Sequence, residues 1–292
     1  MAVDREILFR LATSTWLESA VRAAPVGEQL AWQAASRYVA GTTALAALEA
    51  ARELRSRGMG ASIDQFGELV QDVDTAVRVA SEYLELADQV NAMPSDVWLS
   101  VDLSHLGLDV DPLGCADRLA AIAVRLSDGR RIQVGAEDHS RAEAVLTCIE
   151  MVAARGLAGR LGATAQANFR RTAADIDRLA TAGVYIRLVK GAYLEPDDLA
   201  LPYGEPTDIA YLRLAHKLAD AGALFALATH DGVLREALLA ALGPLPVEHL
   251  LGVRPDVLDD LRARGVPVRV YIPFGDNWFR YWMRRLAESR GT

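Results

Sequence analysis

Eight short apolar runs, each ending in polar residues and separated from the next by a stretch of helical period, constrain this chain more than any other feature. The runs are 61–66 (ASIDQF), 97–103 (VWLSVDL), 131–135 (RIQVG), 160–166 (RLGATAQ), 185–191 (YIRLVKG), 224–231 (LFALATHD), 247–251 (VEHLL) and 268–273 (VRVYIP). Between them lie amphipathic segments such as Arg141–Arg155, Ala173–Ala182 and Asp208–Ala221. Glycines close the helical segments at Gly156, Gly183, Gly222 and Gly265. Strands that alternate with helices pair in parallel through right-handed crossovers. Eight such units in roughly 230 residues predict an α/β fold, a (βα)8 TIM-like barrel. An open sheet would want a glycine-rich phosphate fingerprint after an early strand, and none is found. Residues 1–58 read as a helical arm, 59–292 as the barrel, and 1–292 as a single domain.

Composition narrows the function. Hydrophobic residues make up 51% of the 292, enough for a large core. Thirty-one basic residues against 39 acidic ones leave a net charge of −8, which disfavours a nucleic-acid binder. No uncharged apolar run approaches the ~20 residues of a membrane span. The start, Met1-Ala-Val-Asp-Arg-Glu6, lacks a basic segment followed by an apolar one. A cytoplasmic protein, at most peripheral to a membrane, is expected. Cys115 and Cys148 have no metal or disulfide spacing and read as small buried hydrophobes in helices. His105, His139 and His216 read as loop or surface residues, and no metal is expected.

Barrel enzymes place their site at the carboxyl ends of the strands. Those ends carry Asp64, Asp102, Glu137, Gln166, Arg187 with Lys190, Thr229 with His230 and Asp231, Glu248 with His249, and Tyr271. Singly, each reads as a residue satisfying loop backbone; as a ring around one mouth they read as a site. Arg187-Leu-Val-Lys-Gly-Ala-Tyr193 stands out, with two cations beside a glycine that lets backbone approach a ligand. In the last helix Tyr281, Arg284, Arg285 and Glu288 share one face, while Phe279, Trp282, Met283 and Leu286 form an apolar face for the barrel edge. The arginines suit a bidentate carboxylate clamp; they equally suit the helix dipole and an i+4 pair with Glu288. Trp278 and Trp282 read as packing.

The strings Arg187–Tyr193, Ala228-Thr-His-Asp231 and Tyr271-Ile-Pro-Phe-Gly275 with Tyr281–Glu288 resemble the FAD-dependent proline dehydrogenases. So do Arg37–Gly41, Asp64–Glu68, Gln166 followed by Arg171-Thr172, and Gly252-Val-Arg-Pro255. The resemblance spans essentially the whole chain and is to the short monofunctional bacterial type. It implies a barrel that binds FAD non-covalently and oxidises L-proline or a proline-like imino acid or amine by hydride transfer to flavin N5, with a quinone-type acceptor. It assigns Arg187 a place beside N5 and, with Tyr271, a catalytic role. Gln166, Val189, Lys190, Gly191, Ala192, Thr229, His230 and Glu248 fall along the cofactor. Arg284 and Arg285 fall to the substrate carboxylate with Glu288 bracing them; Tyr193, Leu250, Tyr271 and Tyr281 form the pocket wall. Two departures lie on the substrate side. Asp102 stands where the family has lysine, and Gly135 where it has that lysine's aspartate partner; strand seven also has Glu248 for glutamine. An Asp102 carboxylate facing the pocket is expected to repel a substrate carboxylate, and Gly135 to enlarge the site. Alternative readings are the same barrel acting on a modified or different amine, and a catalytically inactive ligand-binding barrel.

Overall fold

The computed structural model describes residues 25–193 and 195–289, with the backbone alone at 25, 284 and 286–289. The part of the expected arm at 1–24 lies outside the described residues. Two helices come first, α1 (Pro25–Ala35) and α2 (Ala44–Ser56). Eight strands follow: β1 (Gly60–Gln65), β2 (Val97–Val101), β3 (Ile132–Val134), β4 (Leu161–Gln166), β5 (Tyr185–Val189), β6 (Phe225–Ala228), β7 (Val247–Leu250) and β8 (Val268–Phe274). Each pairs in parallel with the next, and β8 returns to β1, so the barrel is closed. The helices after each strand are α3 (Val73–Asn91), α4 (Pro112–Arg125), α5 (Ala142–Val152), α6 (Thr172–Thr181), α7 (Glu205–Asp220), α8 (Gly232–Leu242), α9 (Pro255–Ala263) and α10 (Trp278–Ser289).

All eight apolar runs became strands, most with shifted ends. The runs at 97–103, 185–191 and 224–231 outlast their strands, because the final residues leave the sheet and turn into the mouth. Helix starts follow from their caps. Asp72, Asp111 and Asp231 accept hydrogen bonds from the first free amides of α3, α4 and α8.

Alternation decides which residues face the barrel axis. Ile63, Leu99, Val101, Ile132, Val134, Ile186, Leu188, Leu227, Val270 and Ile272 are buried in the main hydrophobic core, and Cys115 and Cys148 join them from α4 and α5. The alternate positions, Ser62, Asp64, Trp98, Gln133, Thr164, Tyr185, Arg187, Glu248, Arg269 and Tyr271, contact one another inside the barrel. Trp98 and Tyr185 meet edge-to-face at 5.2 Å and floor the interior. Arg269 stacks 3.4 Å above the Trp98 ring and Arg131 lies 5.1 Å from it. Burial holds the Arg269 guanidinium down at about 10, and it donates to the carbonyls of Ala61 and Asp96 at 2.8 and 2.6 Å.

Candidate active site

Arg187 projects from the middle of β5 into the mouth, where its Nε donates to Glu248 Oε2 of β7 at 2.6 Å. Tyr185 Oη, one turn of the strand alternation below, donates to Glu248 Oε1 at 3.1 Å. The pair's side chains are only 9% and 3% exposed. Two buried charges are tolerable when paired and hydrogen-bonded, and here both conditions hold.

A second centre lies on the β8–β1 side. Tyr271 Oη donates to Asp64 Oδ2 at 2.7 Å and Tyr83 Oη, from α3, to Oδ1 at 3.1 Å. Burial raises the Asp64 carboxyl above its ordinary value, and these hydrogen bonds offset only part of that. Burial and the neighbouring Asp64 push both tyrosine hydroxyls well up, so Tyr271 stays protonated and acts as a donor. The Arg187 guanidinium lies 6.0 Å from the Tyr271 ring, joining the two centres.

The ends of β4 to β7 form a connected rim. Gln166 pairs with Val189; its Nε2 donates to the Glu137 carbonyl at 2.8 Å and its Oε1 accepts from Ala192 N at 3.4 Å. Gly191 has φ +121°, and a side chain there would overlap the Asn168 amide, so both strain and space require glycine. Lys190 Nζ lies 2.6 Å from Asp208 and 2.8 Å from Asp231. Burial alone would lower its pKa, but the hydrogen bonds it donates to the two carboxylates win and raise it. Thr229 Oγ1 accepts from Asp231 N at 3.2 Å. His230 Nε2 accepts from Leu250 N at 3.2 Å, and burial holds this imidazole neutral, down at about 3. Tyr193 Oη donates to the Ala136 carbonyl at 2.8 Å and ties the β5 loop to the β3 loop.

Helix α10 covers the β8–β1 edge. Its Tyr281 ring lies 5.2 Å from Phe66 and 6.3 Å from Tyr271, with the Arg285 guanidinium 4.9 Å over it. The side chains of Arg284 and Glu288 lie outside the described residues. The expected single apolar docking face is corrected. Tyr281 is itself buried, and Trp278 packs edge-on against Trp32 of α1 at 5.1 Å, so the helix is held from two sides.

Two further differences from the sequence expectations are physical. Gly135 does not enlarge the site, because a methyl carbon built there would overlap Asp102 Oδ1; the carboxylate already fills that space. His105 is buried, its ring where a side chain on Gly67 would stand and 6.3 Å from the Tyr83 ring, and burial lowers it to about 4. Tyr83, Tyr185, Asn168 and Asp208 escaped sequence reasoning because they sit on a helix, on the barrel floor or in loops, with no strand-end position to mark them. Asp64 was marked by that position. Among the described residues no cluster of three or more histidines, cysteines and acids could hold a metal, and no helix is long and apolar enough to cross a membrane.

A family model described as "Proline dehydrogenase" matches residues 47–292. A proline dehydrogenase of Deinococcus radiodurans is 32% identical over 297 aligned positions, covering 97% of this chain and 94% of that protein. Proline dehydrogenase 1 of Bacillus subtilis is 31% identical over 266, covering 87% and 86%. Among solved structures, proline utilization A from Bdellovibrio bacteriovorus inactivated by N-propargylglycine superposes with a TM-score of 0.81 at 19% identity, over 98% of this chain and 36% of that one. A Bradyrhizobium japonicum proline utilization A gives 0.73 at 23% identity, over 88% and 31%. These two likenesses concern the fold, and this chain spans about a third of those longer proteins. With 246 residues under the family model and a relative above 30% identity along nearly its full length, the chain belongs to the proline dehydrogenase family.

Proposed function

We propose that this chain is a flavoenzyme that oxidises L-proline, or a proline-like imino acid, at the C–N bond, with FAD held non-covalently along the ends of β4 to β7. The proline dehydrogenase family is flavin-dependent in general. The residues suit that cofactor. Gln166 offers an amide, Gly191 bare backbone, and Asn168 a buried carbonyl oxygen that finds no partner among the described residues. Arg187 and Lys190 add hydrogen-bond donors to the same rim, each held in place by its carboxylate partners. When bound, FAD supplies a two-electron acceptor.

The chain's own groups then divide the remaining work. Arg187 places a fixed positive charge where negative charge develops on reduction, and Glu248 with Tyr185 holds its orientation. Val189, Ala192, Thr229 and His230 line the same rim. Arg285, with Arg284 beside it in the chain and Glu288 bracing, takes the substrate carboxylate. Tyr193, Leu250, Tyr271 and Tyr281 wall the ring. Tyr271 stays protonated and donates to Asp64, so it is not the base. We take 1–292 as one domain, acting in the cytoplasm, with a quinone-type compound as final acceptor.

The observation that carries this reading is the buried Arg187–Glu248 pair facing the Tyr271–Asp64 pair across the mouth, in a chain of this family. Purified protein is expected to be yellow, to release its flavin on acid precipitation, and to bleach anaerobically with L-proline. Protein that takes up no FAD on reconstitution, or holds FAD that neither L-proline nor any proline-like imino acid bleaches, would overturn it.

A further inference from the structure

We infer that Arg37, in the connector between α1 and α2, is a positioning residue for the mouth: it holds the loop after β7, and through it Leu250, against the end of β8. The inference rests on the functional reading above, which sets Leu250 beside the substrate ring, and adds to that site a residue from outside the barrel.

Two strings singled out in the sequence, Arg37–Gly41 and Gly252–Pro255, have no part in the site described so far, and the fold brings them into contact. The connector, 36–43, is itself fixed by the barrel. Ala40 N donates to the Pro273 carbonyl at 3.0 Å and the Gly41 carbonyl accepts from Gly275 N at 3.0 Å, so its backbone follows the end of β8. Val39, 1% exposed, packs in one apolar cluster with Trp278, Phe279 and Tyr281 of α10. From that footing Arg37 Nε donates to the Gly252 carbonyl at 3.0 Å, across 215 residues of chain. A side chain at Gly252 would stand 2.0 Å from the Arg37 carbonyl oxygen, and φ there is +75°, so the two backbones meet where glycine is required.

The loop is held residue by residue. Leu250 N donates to His230 Nε2 at 3.2 Å, Leu251 N to the Tyr271 carbonyl at 3.0 Å and Val253 N to the Leu250 carbonyl at 3.2 Å. Arg254, next in line, has a left-handed φ of +47° at the start of α9 and makes no side-chain cap. A residue with a side chain keeps such a conformation only where its surroundings over-determine it, and Arg37 supplies that restraint at Gly252. Leu250 is the register partner of Tyr271 and shares the inward face of β7 with Glu248, two residues earlier. Glu248 is anchored separately, by Arg187 and Tyr185. Releasing Gly252 therefore shifts Leu250 and leaves Glu248 in place, which separates binding of the substrate from its oxidation.

The test is anaerobic flavin reduction by L-proline, which gives a dissociation constant and a limiting rate separately. One hydrogen bond to a carbonyl corresponds to about a fivefold change in an equilibrium constant. Arg37→Met is expected to raise the dissociation constant by that factor and to leave the limiting rate within twofold. Arg37→Lys, which keeps a charged donor on a long stem, is expected to recover most of the loss. Hydrogen exchange of the FAD-free protein reads the clamp without turnover. The amides of Leu251 and Val253 should exchange about tenfold faster in Arg37→Met, while that of Leu227 in β6 stays as in wild type. An unchanged dissociation constant, or a limiting rate that falls as far as the affinity, overturns the inference. So does a lysine variant as weak as the methionine one, or wild-type exchange at Leu251 and Val253. If L-proline bleaches the wild-type flavin and Arg37→Met behaves as wild type, only this inference fails; if L-proline does not bleach it, the functional reading fails and this inference with it.

Discussion

Arg187 and Glu248 sit 61 residues apart in the chain and form one buried unit. Removing the cation strands the carboxylate, which at a buried site costs about 3–5 kcal/mol. Arg187→Met is therefore expected to lower the stability of the FAD-free protein by that amount, read by urea unfolding, besides slowing flavin reduction ~10²–10³-fold. A variant that unfolds like wild type would show that the pair is not closed as described. Sequence inspection reached Arg187 as a strand-end cation, but the identity of its partner depends on which strand the barrel brings opposite. The same holds for Tyr271 and Asp64, 207 residues apart: both were visible as strand ends, their hydrogen bond was not.

At the level of elements, the loop after β1 and the loop after β2 lock together through one ring. His105 lies flat where Gly67 has no side chain, and Val70 N bonds the Ser104 carbonyl at 3.1 Å. Gly67→Ala would overlap the imidazole, and overpacking of this kind costs about 1–3 kcal/mol. Its expected signature is a lowered Tm largely rescued by His105→Ala; a Gly67→Ala protein as stable as wild type would mean the ring moves freely. The strand period announced all eight strands and the helical period the segments at 141–155, 173–182 and 208–221, since periodicity is local. Where α10 packs was less legible, because its aromatic residues serve both faces and only the presence of α1 decides how they divide.

The whole molecule carries its histidine burial as an acid sensitivity. Burial lowers His105 and His249 to about 4 and His230 to about 3, from an ordinary value near 6.5. A base whose folded pKa is depressed contributes stability that is present above the unfolded value and lost as pH falls toward the folded one. At 1.36 kcal/mol per unit, His105 and His249 are each worth roughly 3 kcal/mol and His230 about 5 kcal/mol over their windows. Asp64 and Glu137, raised by burial, act oppositely, stabilising most below the ordinary carboxylate range. Three bases outweigh two acids between pH 6.5 and about 4.5. Unfolding of the FAD-free protein by urea should become easier across that interval, and His105→Gln should flatten the slope. An identical slope in the variant would place His105 in water.

The architecture and the ring of strand-end residues facing one opening are readable from the chain alone. Both follow from repeats of two and 3.6 residues that any short window displays. The family resemblance was legible too, because its strings lie on those same strand ends. Folding alone fixes which charges neutralise each other, that Lys190 is shared by Asp208 and Asp231, and that Asp102 occupies the space beside Gly135. Those outcomes depend on closure of the barrel, which brings β8 against β1 and β7 within reach of β5. No local pattern encodes a distance between residues that meet only when the last strand joins the first.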